Sequence, residues 1–240
     1  MLPAHVRLGC SILCVLFLFA TPAPAQIVTV TQNLGTTQGT TGIATSVTTG
    51  STMGGMQVTA FFTDGSSESV TWVGGFFGSG SATGTGWSLM ESGDTDTSSW
   101  FLTNSTRLGL TRLLLDGGPG KTVFDRTFGG MIGTPGTSIG RDFVVTFGGV
   151  GTTILATYED QVAVIPNPPV GDIFRYLDVV FQNAGGLASG QVLGFGADTD
   201  STVDVLTPLA VIPEPGSLLL FGVAVLGLVG HRRLQRQRLA

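Results

Sequence analysis

The sequence predicts an all-β fold, a β-sandwich or jelly-roll-like body built from nine to eleven short strands. Three observations carry this. Short runs alternate apolar with polar residues or are rich in β-branched and aromatic side chains. Clusters of Gly, Ser, Thr, Asn and Asp separate those runs, and the chain holds 37 glycines. Between the two ends, no 12-residue window carries a helical apolar stripe. Only 11% of residues are charged, against a usual ~25%. Hydrophobic residues make up 42%, so the low charge does not imply disorder, which needs low hydrophobicity together with high charge.

Taken in order, residues 26–32 (QIVTVTQ) alternate as a half-buried strand does, and 33–55, rich in Thr and Gly, read as a loop or a weak edge hairpin. Residues 56–63 and 68–73 read as two strands joined by an Asp64-Gly65 turn, a strong hairpin signal. A Gly/Ser/Thr loop is expected at 78–86. Strands follow at 87–93, 100–104 and 108–116, then a turn at 117–120, then strands at 122–125, 141–147 and 154–164. A Pro-rich connection at 167–172 leads to strands at 174–181 and 190–200. No fixed-period repeat is sustained.

Both ends read as targeting segments. Residues 1–25 have a weakly basic start (His5, Arg7) and an apolar run at 10–20, followed by Ala23 and Ala25 in the small-residue pattern of a signal peptidase site. Cleavage is expected before Gln26, after export through the Sec translocon. The apolar run of 11 residues is too short for a ~30 Å hydrocarbon layer, which disfavours the alternative of an uncleaved anchor. Residues 211–240 have three parts: a Pro213-Glu214-Pro215 motif, an apolar stretch at 216–230 expected to form a single transmembrane helix, and a basic end with Arg232, Arg233, Arg236 and Arg238. Fifteen residues give ~22 Å of helix, marginal for a permanent span. The arginines suit a cytoplasmic stop.

In order, spacing and motif, this tail resembles the PEP-CTERM sorting signal. The resemblance implies recognition of Pro213, Glu214 and Pro215 by an exosortase, passage through an inner-membrane intermediate, and delivery to the cell envelope, the outer surface or the medium, in company with exopolysaccharide and biofilm. Segments 87–89, 118–125 and 197–200 also look like the bodies of PEP-CTERM proteins, which bears on fold and address and implies no activity.

The body, 26–210, carries fifteen acids and six bases, a net of −9, while the whole chain is at −5. An acidic body lacks the clustered Lys and Arg that nucleic-acid phosphates require. It also has no cysteine and no histidine; Cys10 and Cys14 lie in the leader, and His5 and His231 at the ends. Disulfides, Ser-His-Asp or Cys-His catalysis, and zinc sites built on His or Cys are therefore excluded. No phosphate-binding glycine loop is present. A glycosidase needs two convergent carboxylates, and nothing in the sequence brings together any two of Glu68, Glu91, Glu159 and the body's twelve aspartates. Asp94 with Asp96, and Asp198 with Asp200, place two carboxylates two residues apart with hydroxyls between, a pattern that suits calcium as well as ordinary turns. Calcium is the one candidate cofactor. Trp72, Trp87 and Trp100 are candidate platforms for sugar rings, or core residues. The reading that follows is an exported, non-catalytic envelope or matrix protein. The alternatives are a carbohydrate-binding module and a carboxylate-based glycan-active enzyme.

Overall fold

The computed structural model describes residues 26–126, 140–149 and 151–209. They are all-β. The strands are β1 (Ile27–Asn33), β2 (Gln38–Thr40), β3 (Ile43–Thr45), β4 (Gln57–Phe62), β5 (Ser67–Thr71), β6 (Val73–Gly74), β7 (Ser79–Thr83), β8 (Trp87–Ser92) and β9 (Trp100–Asn104). They continue as β10 (Leu110–Asp116), β11 (Thr122–Asp125), β12 (Val144–Gly148), β13 (Thr153–Val164), β14 (Ile173–Phe181), β15 (Val192–Gly196), β16 (Asp198–Thr202) and β17 (Thr207–Pro208). The only helix among the described residues is a 3-10 turn at Gly118–Gly120, and none is long and apolar enough to cross a membrane. The expected signal segment and the expected apolar helix at 216–230 lie outside the described residues.

Two sheets form. The larger runs β17-β2-β13-β14-β10-β4-β5, with β1 alongside β13 and a branch of β11, β16 and β3 leaving the start of β14. The branch arises because β14 changes partner along its length: Arg112 to Asp116 of β10 pair with its later residues, while Phe124 and Asp125 of β11 pair with Phe174 and Ile173. The smaller sheet runs β12-β15-β9-β8-β7-β6. Inward residues of both sheets meet in one hydrophobic core, among them Val58, Leu89, Leu102, Leu113, Leu177 and Phe195. An aromatic chain spans that core, with ring centroids 5.3 Å apart for Trp72 and Trp100, 6.0 Å for Trp100 and Phe195, and 5.0 Å for Phe195 and Phe143.

Three strand expectations change. Residues 79–83, expected as loop, form β7, with Gly80 and Ala82 inward and Ser79, Ser81 and Thr83 facing out. A bulky inward residue is impossible at Gly80, where an added Cβ would run into the Gly50 carbonyl and the Trp72 indole nitrogen, so the strand is written in small residues. Residues 33–55 are not a plain loop or a hairpin. β2 is fully buried between β13 and β17, and β3 pairs instead with β16. The single strand expected at 190–200 divides at the buried Ala197. β15 belongs to the smaller sheet and β16 to the larger, so one extended segment crosses between them.

The smaller sheet also carries an apolar row on its outer face. Register aligns Val73 with Ser81, Ser81 with Met90, Met90 with Phe101, Phe101 with Gly194, and Gly194 with Phe147. Val73, Met90, Phe101 and Phe147 are 67%, 51%, 45% and 61% exposed. Gly194 lies between the two phenylalanines, both within reach of a Cβ placed there.

Candidate metal centre

The branch of the larger sheet gathers three carboxylates. In the antiparallel pairing of β11 with β16, Asp125 stands opposite Asp198 and Val123 opposite Asp200. Side chains alternate across a strand, so Asp198 and Asp200 share a face, and Asp125 joins them from the neighbouring strand. One oxygen from each lies within 4.8 Å of the others. All three residues are at most 1% exposed. Both oxygens of Asp125, both of Asp200, and Oδ2 of Asp198 have no hydrogen bond. An unsatisfied buried polar atom is costly, and five in one place are far outside ordinary core chemistry.

Only Asp198 Oδ1 is satisfied. Thr95 Oγ1–H donates to it at 2.8 Å, and the Thr199 N–H donates at 2.7 Å. Thr95, buried itself, thereby fastens the 93–98 turn onto β16. Gly140 passes directly over Asp125, and any side chain there would strike the carboxylate.

The electrostatics follow from this crowding. Burial pushes the Asp125 carboxyl up to about 9, with the negative charges of Asp200, Asp198, Asp172 and Asp96 adding to it. Burial likewise pushes Asp200 up to about 8, reinforced by Asp198 and Asp172. Asp198 rises to about 7, again through burial, against the opposing hydrogen bonds from Thr95 and Thr199. Among the described residues, the salt bridges join Arg112 to Asp178, Arg126 to Asp142 and Arg175 to Asp116, so no cation neutralises this trio. Asp125 and Asp200 can bond each other only if one of them holds a proton. The arrangement has two chemical outlets, a shared proton or a hard cation.

The structure brings Asp198 and Asp200 into this centre and leaves Asp94 and Asp96 beside it. Asp94 serves its own turn, its carboxylate accepting the Asp96 N–H and its carbonyl the Thr97 and Ser98 N–H groups, while Asp96 is exposed. The residue between them, Thr95, makes the contact. Asp125 escaped the sequence reading because it stands alone at a strand end with no carboxylate two residues away.

The tryptophans are not surface platforms. Trp72, Trp87 and Trp100 are 1%, 2% and 0% exposed, and each indole N–H is satisfied, by the Gly50 carbonyl, Glu68 Oε2 and the Ala197 carbonyl respectively. Trp72, in the link between β5 and β6, and Trp87 and Trp100, at the starts of the paired strands β8 and β9, all turn inward to the hydrophobic core. Ala23, Ala25, the Pro213-Glu214-Pro215 motif and Arg232, Arg233, Arg236 and Arg238 lie outside the described residues, and Gln26 stands just ahead of β1.

Compared with known proteins, the chain matches the PEP-CTERM protein-sorting motif over residues 211–233, a stretch that takes in Pro213, Glu214, Pro215, Arg232 and Arg233. No curated protein and no solved structure matches it.

Proposed function

We propose that this chain, an exported protein whose PEP-CTERM motif marks it for an exosortase, places a non-catalytic two-sheet sandwich in the cell envelope or extracellular matrix, where the sandwich holds exopolysaccharide. The observation that carries the glycan reading is the exposed row Val73, Met90, Phe101 and Phe147 across the smaller sheet. Neighbouring strands lie ~4.8 Å apart, so a row crossing six strands extends ~24 Å, the length of several sugar units. Exposed apolar rows on soluble bodies mark interaction sites, and flat aromatic rings suit the C–H faces of pyranoses. Hydroxyls border the row: Ser99 and Thr146 bond each other at 2.9 Å, and Ser92, Ser98 and Ser99 line a shallow depression with Met90 and Phe101. This replaces the buried tryptophans as the site for ring stacking.

Two further features support a binding role over catalysis. The body lacks histidine and cysteine, and the one described cluster of convergent carboxylates is at most 1% exposed, out of reach of a glycosidic bond. Of the six basic residues in the body, Arg112, Arg126 and Arg175 are paired with acids, which argues against a nucleic-acid partner.

The test has two arms. Intact mass of the protein purified from its host is expected to show loss of the residues before Gln26 and of the chain following the sorting motif, and a full-length mass refutes the processing. The wild-type protein is expected to be retained on the host's own polysaccharide, and the Phe101→Ala/Phe147→Ala pair to be retained about tenfold less, as loss of ~1.4 kcal/mol of apolar contact implies. Equal retention of the two, or none of the wild type, refutes the glycan role.

A further inference from the structure

We propose that Asp125, Asp198 and Asp200 bind one calcium ion, which clamps β11 to β16. The inference is independent of the glycan reading and rests on the opposite side of the fold's chemistry, its buried acids. The donors are oxygen only, which selects a hard cation. Five carboxylate oxygens of the three residues receive no hydrogen bond from the surrounding protein, and one oxygen from each residue converges from two hydrogen-bonded strands, supplying at least three of the six to eight ligands calcium takes. Full burial disfavours magnesium, which dehydrates reluctantly and keeps several waters. The three acids have no arginine or lysine partner among the described residues, so a divalent cation answers a local charge imbalance that nothing else there answers.

The ion would also fix more than its ligands. Asp198 holds Thr95, and Thr95 holds the 93–98 turn, so occupancy ties that turn, β11 and β16 into one unit.

The experiment uses the protein purified from its host, stripped with EGTA and titrated with calcium chloride or magnesium chloride. Bound metal is counted by elemental analysis after desalting, and the melting temperature is followed in parallel. One calcium per chain is expected. At a hundredfold excess over Kd the melting temperature should stand about 5–10 °C above its EGTA value, with magnesium giving much less. Asp200→Asn is expected to lose the bound calcium and the calcium-dependent rise, while its melting temperature in EGTA stays at or above that of the stripped wild type, because one buried acid without a cationic partner is gone. Asp96→Asn, outside the trio, should bind as the wild type does. If Asp200→Asn does not fold, the wild-type titration alone decides. No bound calcium and no response to EGTA or calcium overturns the proposal and identifies a proton-sharing cluster. An equal response to magnesium overturns the assignment to calcium.

Discussion

Replacing Glu91 by Gln should stabilise the protein at alkaline pH and flatten its pH dependence. Glu91 follows Trp87 and Leu89 on the inward face of β8, is 1% exposed, and has no well-formed hydrogen bond at either carboxylate oxygen. Burial pushes its carboxyl up to about 8 from 4.5, the nearby Gly50 N–H opposes the rise, and the negative charge of Asp94 adds to it. The folded state therefore keeps a proton that the unfolded chain releases at lower pH. Stability is undiminished below the unfolded value, falls as pH rises from about 4.5 to about 8, and is level above that. At about 1.4 kcal/mol for each pH unit of that gap, the loss reaches about 5 kcal/mol before the surroundings relax. Glutamine stays neutral like the protonated acid, but its amide group brings donors that cost about 1–3 kcal/mol if left unpaired. The net expectation is a variant about 2–4 kcal/mol more stable than the wild type at pH 9, and equal to it or weaker at pH 4. Urea unfolding at fixed calcium across pH 4–9 measures this. The buried aspartates are common to both proteins and cancel in the difference. A difference between wild type and variant that does not change with pH refutes the reasoning.

Two other perturbations follow from the core and the turn. Trp100→Ala removes a fully buried ring that stacks on Phe195 and meets Trp72 at a tilt, and leaves the Ala197 carbonyl without its indole donor; urea unfolding should show a loss of about 3–5 kcal/mol, and a loss under 1 kcal/mol would place the ring outside the core. Thr95→Val keeps the shape and removes the hydroxyl that bonds Asp198. It should cost about 1–3 kcal/mol and speed backbone hydrogen exchange in the 93–98 turn, and unchanged exchange would mean that the turn is held by something else.

Much of the strand inventory was legible because it depends on local alternation. The hairpin of β4 and β5 around Asp64-Gly65, and the run that became β13, carry their period in the chain itself. β7 did not read as a strand, because Gly80 on its inward side must be small to admit Gly50 and Trp72, and that constraint comes from residues outside the strand that only the fold brings against it. The pair Asp198 and Asp200 was legible from spacing alone. Asp125 was not, since it reaches the pair only through the register of β11 on β16.

By itself the sequence determined the all-β class, the sorting motif at Pro213-Glu214-Pro215, and the absence of histidine and cysteine from the body, because each is written in composition or in residues adjacent along the chain. Only the tertiary structure decided that the extended segment from Val192 to Thr202 serves two sheets, that all three tryptophans turn inward, and that the outer apolar row belongs to phenylalanine, methionine and valine. The physical reason is the same in each case. Alternation fixes that a strand has two faces, but which face is buried, and against what, is set by the partners that distant parts of the chain supply.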